Sequence, residues 1–400
     1  MTINPLAPAS KQPTLGDYSD AEVQLANRNS GMPLEFLQHD ITPVGAHYLL
    51  THFDVPYVNS PDNWTLSLSG LFQQHATLSI AALQHYPVHH EVVTLECAGN
   101  GRACMTPRWP SQPWHYGAVG TARWTGVRLT DVLKDHPLAG GCEELVFSGV
   151  DRGADGGQVH HFERSLTLQQ IDTLEVMLVW AMNGQPLLPQ HGFPLRLIVP
   201  GWYGMASVKW LDRITAIDHA FQGYQQVRTY RYRRDADDPG QPVTTLKPKS
   251  LMQPPGLVDW STRVRLVQPG THRITGRAWG GCGIDADAGQ GQGLVRGSGK
   301  GLDNELGNEL GKGGGRGIQR VELGLNGDYH DATVTPSDHR YGWSHWSADV
   351  TISEGAHVLS CRATDAQGIV QPDVPTGDYN GMGNNSVQTV RIVCDGSVFP

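Results

Sequence analysis

Residues 94–102 read TLECAGNGR, a β-like run that ends on Cys97 and passes into a turn of small residues. A strand that ends in such a turn presents its last side chain next to exposed backbone N–H groups. A Cys97 thiolate in that place could ligate a soft metal or act as a nucleophile. Arg102 would lower the pKa of the thiol and could hold an anionic substrate. From the spacing alone, however, a buried structural cysteine is the favoured interpretation.

A second segment, rich in hydrogen-bond donors, is HGFPLRLIVPGWYGMASVKW at 191–210. It places His191, Arg196 and Lys209 around a dense apolar strand and a Pro-Gly turn. Three potential cations so close together in a net acidic chain suit a phosphate bound by Arg, Lys and backbone N–H groups. Taken alone, this site and a solvated sheet edge are equally good interpretations.

The composition around these segments favours strands and turns over a helical bundle. The 400 residues include 48 Gly and 26 Pro, and charged residues make up only 17%. Helix interiors reject Gly and Pro, whereas strands joined by turns tolerate them. Up to about residue 240, β-like runs at 64–72, 91–97 and 194–202 alternate with amphipathic pieces, of which 127–136 reads as a helix. This pattern predicts a mixed α+β domain.

A domain boundary is predicted near residue 240, where RRDADDPGQP (233–242) ends in Pro and Gly. Residues 241–400 contain short alternating segments with turn signals, which are typical of an all-β sandwich. Residues 1–32 are polar and aperiodic, so we expect a tail that wraps or frays, and the first domain occupies 33–240. The stretch 289–317 is Gly-rich and repeats NELG in tandem, which indicates a disordered insertion.

Charge and hydropathy bear on partners and location. The net charge of −9 and the pI of about 6.0 argue against a general nucleic-acid or anionic-membrane binder. The longest apolar run, 176–182, is far shorter than the ~20 residues of a membrane-spanning helix. The first residues show no export signal, so we expect a cytoplasmic protein. None of the six cysteines has CxxC or zinc-finger spacing, which favours reduced thiols.

Several longer motifs, taken together, resemble the sulfite oxidase family of molybdenum-cofactor oxidoreductases. They are ECAGNGR (96–102), GTARWTGVRLTDVL (120–133), AMNGQPLLPQHGFPLRLIVPG (181–201), SVKWLDRI (207–214) and RATDAQGIVQPD (362–373). The resemblance covers roughly residues 33–395, and the combination of motifs is highly specific. It implies a mixed α/β molybdopterin-binding domain followed by an all-β immunoglobulin-like dimerisation domain, assembled as a homodimer.

The resemblance also implies roles for individual residues. Cys97 matches the protein thiolate on molybdenum, whose other sulfur ligands come from the dithiolene of one molybdopterin. The further residues that match cofactor contacts are His52, Asp151, His191, Arg196, Ser207 and Lys209. Arg102, Trp114 and Tyr230 match the substrate pocket, where a tyrosine can donate a hydrogen bond and relay protons.

The expected reaction is a two-electron oxo transfer to sulfite or a related small oxyanion or sulfur compound, with electrons passed to an external acceptor such as a cytochrome c. Two departures bear on the substrate, since sulfite-oxidising relatives carry Arg at the places held here by Leu50 and Asn380. The loss of two cations would cost roughly 1.5–3 kcal/mol each in charge-assisted binding, which favours a larger or neutral sulfur or nitrogen compound. The alternatives are a reductase or oxidase of another S- or N-oxide, and a non-enzymatic binding protein that uses the sandwich and the Gly-rich loop.

Overall fold

The structure, a computed structural model, describes residues 18–281 and 317–397. The helices in these ranges are short, and none is long and apolar enough to cross a membrane. They are α1 (Asp20–Arg28), α2 (Ile80–Leu83), α3 (Leu129–Asp135) and α4 (Leu168–Leu174). The helix predicted for 127–136 is confirmed as α3, although its first two residues belong to the preceding strand.

The first domain contains twelve of the described strands. They are β1 (Thr65–Gly70), β2 (Ala76–Ser79), β3 (Val88–Glu96), β4 (Val119–Arg128), β5 (Glu144–Asp155), β6 (Gln158–Thr167), β7 (Met177–Met182), β8 (Gln185–Pro186), β9 (Arg196–Ile198), β10 (Leu211–Ile217), β11 (Arg231–Tyr232) and β12 (Gln241–Pro242). One sheet has the order β2-β1-β10-β5-β6, and a second has the order β3-β4-β7-β8 with β9 paired to β7. Strands β11 and β12 form a separate ribbon.

The second domain is a sandwich of two sheets, as the sequence predicts. Its described strands are β13 (Lys249–Met252), β14 (Leu257–Val258), β15 (Arg265–Val267), β16 (Gly270–Trp279), β17 (Ile318–Leu325), β18 (Asp328–Asp331), β19 (Thr333–Thr335), β20 (Ser344–Ile352), β21 (Gly355–Asp365) and β22 (Gln388–Cys394). The sheets have the orders β13-β16-β20-β19 and β14-β15-β22-β21-β17-β18. The α+β fold class with a mixed first domain and a β sandwich is therefore confirmed. The Gly-rich stretch 289–317, apart from Gly317, lies outside the described residues.

The amino-terminal segment differs from the aperiodic tail expected for 1–32, because residues 20–28 form α1. The Ser19 hydroxyl accepts a hydrogen bond from the Glu22 N–H (3.3 Å), and the Glu22 carboxylate accepts one from the Ser19 N–H (2.9 Å), which together make a capping box. Glu22 is also buried in an ion pair with Arg108. The capping box and the ion pair with Arg108 thus stabilise α1, although the polar sequence of this segment shows no helical periodicity of apolar residues.

The two domains share part of one hydrophobic core. The main cluster of the first domain also includes Leu251, Trp279, Trp343 and Met382 from the second. The sandwich has its own core between its two sheets, as the alternating burial along β20 shows. The domains are therefore packed against each other through apolar side chains, and the functional pocket lies close to this junction.

Candidate active site

Cys97 directly follows β3, at the start of a tight turn. Its N–H donates to the Ala118 carbonyl (2.9 Å), and its own carbonyl accepts from the Asn100 N–H (2.9 Å). Gly101 closes the turn with φ +86°, a conformation that suits glycine. The Cys97 side chain is only 7% exposed and packs against Trp114 and Ala118.

Burial raises the pKa of the Cys97 thiol, and the nearby Arg102 guanidinium opposes that rise without cancelling it. The expectation that Arg102 lowers the pKa of the thiol is confirmed for its own contribution, but burial makes the net shift upward. The physical reason is that the desolvation of a thiolate outweighs one cation beside it. A bound metal ion would supply the missing stabilisation, because a coordinating thiol is deprotonated.

The second domain holds the Cys97 turn in place, which sequence reasoning did not predict. The Glu96 carboxylate accepts hydrogen bonds from Lys249 Nζ (2.8 Å) and from the Trp279 indole N–H (2.8 Å). Both partners lie on sandwich strands, β13 and β16. The Asn384 side-chain amide donates to the Gly101 carbonyl (2.8 Å). The sequence alone gives no sign that Lys249 is buried, because its partner Glu96 lies 153 residues away.

All the residues that the sequence predicts as cofactor contacts come together in one pocket between the two sheets of the first domain. The lining includes His52, Cys97, Asp151, His191, Arg196, Ser207, Lys209 and Tyr230. Arg102 and Trp114 do not line this cavity; they are buried beside Cys97. His47 and Tyr48 also line the pocket, and sequence reasoning missed both.

Two cations of this pocket have no carboxylate partner within 4 Å among the described residues. Arg196 donates to the carbonyls of His191 (2.9 Å) and Ser207 (3.1 Å). Lys209 Nζ donates to the carbonyls of Leu50 (2.7 Å) and Gln190 (2.9 Å). Burial, and then the neighbouring Arg196, lower the pKa of Lys209 to about 7. Cations held by neutral carbonyls in a closed pocket favour an anionic ligand.

The remaining polar groups of the pocket are largely neutral. Burial raises the pKa of Asp151 to about 7, and its Oδ1 atom has no hydrogen-bond partner among the described residues. Burial lowers the pKa of His47 to about 4 and that of His191 to about 2, and the two rings meet edge to face at 5.5 Å. Unpartnered buried atoms beside two cations are what a polar, phosphate-bearing ligand would satisfy.

Tyr230 and His52 form a contact that spans the pocket. The Tyr230 hydroxyl lies 2.6 Å from His52 Nε2, and the His52 ring packs on Phe162 with centroids 4.7 Å apart. Enclosure between these rings lowers the pKa of His52, although its outer surface stays exposed. Burial raises the pKa of Tyr230. The donor in this contact depends on the tautomer of His52: a neutral ring that carries its proton on Nε2 donates to the Tyr230 oxygen and leaves the phenolic proton free to be donated into the pocket.

Leu50 and Asn380 occupy the two places where the resemblance calls for arginine. The Leu50 side chain packs against the cluster of Cys97, Trp114 and Ala118. Asn380 donates its side-chain amide to the Arg231 carbonyl (3.1 Å), and its own carbonyl accepts from Arg102 Nε (3.3 Å). Arg102 also donates to the Gln112 carbonyl (2.9 Å). Asn380 thus anchors Arg102 and presents no charge of its own.

Two family models match the chain. The oxidoreductase molybdopterin binding domain matches residues 52–225, and the Mo-co oxidoreductase dimerisation domain matches residues 311–394. The chain belongs to the sulfite oxidase family of molybdenum-cofactor oxidoreductases. The first match covers the pocket around Cys97, and the second supports the expected homodimer.

Relatives within the sulfite oxidase family come from plants and animals. The chain is 29% identical over 383 residues to the sulfite oxidase of Arabidopsis thaliana, over 83% of this chain and 82% of that one. It is 29% identical to the mitochondrial sulfite oxidase of Homo sapiens, over 91% of this chain and 64% of that one, so it spans slightly less than two thirds of the human enzyme. It is 30% identical to nitrate reductase [NADH] 1 of Oryza sativa subsp. japonica, over 92% of this chain and 40% of that one.

A solved structure has the same fold. The sulfane dehydrogenase SoxCD of Paracoccus pantotrophus superposes with a TM-score of 0.71 at 22% identity, over 98% of this chain and 94% of that chain.

The pocket residues of this chain fit the molybdenum cofactor of the sulfite oxidase family. Cys97 offers a soft thiolate, and Arg196 and Lys209 offer uncompensated charge for a phosphate. Asp151 and His47 offer buried polar atoms that still need partners.

Proposed function

We propose that the chain oxidises sulfite or a related small sulfur compound by two electrons and passes the electrons to a separate acceptor such as a cytochrome c. The observation that supports this most directly is that one pocket contains a buried thiol, two cations without an ion-pair partner among the described residues, and a tyrosine hydroxyl. When bound there, the molybdenum cofactor supplies the two-electron oxo transfer. The names of the curated sulfite oxidase relatives support the choice of substrate class.

The residues of the chain itself would bind the cofactor and the substrate and transfer the proton. Cys97 would hold the metal, while Arg196 and Lys209 would hold the phosphate of the pterin and set its orientation. Arg102 lies beside Cys97 and neutralises part of the negative charge of an oxyanion. Tyr230 donates a hydrogen bond toward the reacting oxygen, and its contact with His52 offers a route for the proton.

A second candidate substrate class follows from Leu50. Its side chain gives the pocket an apolar wall next to Cys97, where the sulfite-oxidising pattern has a cation. An apolar wall favours a less charged S- or N-oxide, which the enzyme could reduce, over a doubly charged oxyanion. The presence of nitrate reductases among the relatives fits this direction of reaction.

Metal analysis combined with kinetics tests the proposal. The purified protein from a host that makes the cofactor is expected to contain about one molybdenum per chain and to reduce ferricyanide and cytochrome c when sulfite is added. Molybdenum without sulfite oxidation, together with dye-driven reduction of a sulfoxide or N-oxide, would favour the second candidate. A protein without molybdenum would contradict both.

The Cys97→Ser variant is the matched control. It is expected to lose turnover while keeping the pterin, because Arg196 and Lys209 are held in place by protein carbonyls, independently of the thiol, and would still bind the phosphate. The pterin content can be measured by fluorescence after oxidative release. Loss of the pterin in this variant would show that the thiolate is required to retain it.

A further inference from the structure

One face of strand β6 supports the contact between Tyr230 and His52. Successive side chains of a strand point to opposite faces, so Phe162 and Arg164 share a face of β6. The Phe162 ring packs on the His52 ring, with centroids 4.7 Å apart. The Arg164 guanidinium lies over the Tyr230 ring, with Cζ 5.4 Å from the ring centroid. Each partner of the 2.6 Å contact is thus backed by one side chain of the same strand face.

The opposite face of β6 has a different environment. Glu163, which lies between Phe162 and Arg164, pairs with Arg213 of β10 at 3.6 Å. The Arg213 side chain is 42% exposed, whereas Phe162 and Arg164 are buried. The strand therefore has a solvated ion pair on one face and a buried support for the Tyr230 contact on the other.

Arg164 also fixes the turn that carries Tyr230. Its guanidinium donates to the carbonyl of Gln225, the first residue of the π-helical turn Gln225–Thr229 that ends at Tyr230. The Nε2 atom of His160, a further residue on this face of β6, lies 3.1 Å from the Gln225 side-chain nitrogen. Turns of this kind are rare and are frequent at functional sites. Strand β6 thus holds the turn through its backbone and through a side chain, which places the Tyr230 ring against the guanidinium.

Arg164 is a buried cation without an ion-pair partner among the residues that the structure describes. Its guanidinium has no carboxylate oxygen within 4 Å there, and the Gln225 carbonyl that accepts its hydrogen bond is neutral. Burial lowers the pKa of Arg164 to about 10, so the side chain keeps its charge at neutral pH. In surroundings of low dielectric constant, that charge acts strongly on the phenol beside it.

The charge of Arg164 favours negative charge on the Tyr230 oxygen. Burial, and then Cys97, raise the pKa of Tyr230, while Arg164 and Arg102 oppose the rise. A phenol develops negative charge when it donates its proton toward a reacting oxygen. A cation over the ring stabilises that charge and also holds the ring through a cation–π contact.

We propose that Arg164 is a positioning residue, which orients the Tyr230 ring and stabilises the negative charge that the Tyr230 oxygen develops as it donates a proton to the reacting oxygen. This inference rests on the role proposed for Tyr230 in the preceding section. Arg164 does not line the cofactor pocket, so it acts through Tyr230 and not on the substrate. Its loss should therefore slow the reaction and leave substrate binding nearly unchanged.

Steady-state kinetics of the cofactor-loaded protein with sulfite and ferricyanide test the inference. Arg164→Gln keeps a donor for the Gln225 carbonyl but removes the charge, and it is expected to lower kcat roughly tenfold with KM changed less than about twofold. Arg164→Lys keeps the charge and should recover part of the lost rate. Arg213→Gln is the matched control, because it changes the opposite face of β6, and it should keep the wild-type kcat.

A double-mutant cycle separates this role from a merely structural one. In a Tyr230→Phe background, Arg164→Gln should have no further effect on the residual kcat, because the hydroxyl through which the charge acts is missing. An additive loss in this background would overturn the inference, as would equal kcat values in the wild type and Arg164→Gln. Should Arg164→Gln fail to fold, Arg164→Met decides the outcome, because this neutral side chain needs no buried polar partner.

NMR spectroscopy of isotope-labelled tyrosine gives a readout that requires no turnover. The signal of the hydroxyl-bearing ring carbon of Tyr230 is assigned by its loss in Tyr230→Phe. It is expected to shift in Arg164→Gln and to keep its position in Arg213→Gln, and an unchanged signal in both would overturn the inference. A wild-type protein that does not oxidise sulfite would contradict the proposed function alone, since the NMR comparison would still test Arg164.

Discussion

Leu50 is the residue on which the proposed choice of substrate depends most. Its side chain contributes an apolar surface next to Cys97, while its carbonyl accepts a hydrogen bond from Lys209 at 2.7 Å. The backbone at this position therefore holds Lys209, a proposed cofactor contact, and the side chain is free to set the polarity of the pocket. A change of side chain here should alter substrate binding without altering cofactor retention.

The Leu50→Arg variant is expected to lower the KM for sulfite by roughly tenfold or more, because it adds one charge-assisted contact to a dianion. The kcat should change much less, since the added charge binds the substrate before and during the reaction alike. Steady-state kinetics with ferricyanide would show this. Leu50→Met serves as the control for volume, and an unchanged KM in Leu50→Arg would contradict the assigned position of this residue.

His47 makes the fold sensitive to acid. Burial lowers the pKa of this 4% exposed histidine to about 4, whereas the unfolded chain has the ordinary value of about 6.5. Between these two values the unfolded state binds the extra proton, so the free energy of unfolding falls as the pH drops from about 6.5 to about 4. The contribution is about 1.4 kcal/mol per pH unit.

In cofactor-free protein, His47→Gln is expected to flatten the pH dependence of the free energy of unfolding by close to one proton in that range. Urea denaturation at several pH values measures the slope. The His219→Gln variant, whose side chain is 66% exposed, should keep the wild-type slope. A slope that is the same in all three proteins would show that His47 remains protonated when folded.

At the scale of elements, the turn between β3 and the next short helical turn, Arg102–Cys104, positions Arg102, the proposed substrate contact. A Cβ atom on Gly99 would lie 2.5 Å from a guanidinium nitrogen of Arg102. Arg102 cannot move away freely, because it is fixed to the carbonyls of Gln112 and Asn380. The glycine is therefore required by the close approach of this side chain to the backbone.

The Gly99→Ala variant is expected to raise the KM for an anionic substrate by about tenfold, since it displaces one charged contact. It should also cost about 1–3 kcal/mol of stability through overpacking. Gly140→Ala is the control, because no atom lies within 4 Å of the Cβ position there. A variant that loses stability but keeps its KM would show that Arg102 does not contact the substrate.

The sequence was sufficient where the information is local. Alternating segments within residues 241–400 predicted the strands of a sandwich, as the burial along β20 confirms. The spacing around Cys97 alone favoured a structural cysteine, and the predicted site followed from the family resemblance. Long-range contacts could not be predicted in this way. The π-helical turn Gln225–Thr229 leads into Tyr230, which meets His52 across 178 residues. The local sequence pattern does not indicate that Tyr230 and His52 meet. It does not indicate the ion pair of Lys249 with Glu96 either.

At the scale of the whole molecule, the sandwich completes the catalytic domain. Lys249 and Glu96 form a buried ion pair at 2.8 Å, with side chains only 1% and 2% exposed. The Gly383 N–H donates to the Ala98 carbonyl at 2.7 Å, one residue after Cys97. The boundary predicted near residue 240 falls between the paired strands β11 and β12, and the Cys97 turn depends on contacts from both sides of it.

Lys249→Met is expected to reduce the free energy of unfolding by about 3–5 kcal/mol, because it leaves the Glu96 carboxylate buried without its cation. Denaturant unfolding measures the change, and metal analysis should show less molybdenum per chain. Adding Glu96→Gln to this variant should recover part of the loss. Arg273→Gln, which breaks an exposed ion pair with Asp349, should cost less than about 1 kcal/mol.

The Cys97 turn is contacted by residues that are synthesised much later. Glu96, Ala98 and Gly101 bond to Lys249, Gly383 and Asn384, respectively. These contacts therefore set an order of events during biosynthesis. A ribosome adds ~5–20 residues per second, so the Cys97 turn emerges roughly 15–60 s before Asn384 does. Throughout that interval the nascent first domain lacks the partners that shape the turn. Capture of the cofactor is consequently a step for the finished polypeptide, and a ribosome stalled within the sandwich leaves a chain unable to complete its metal site.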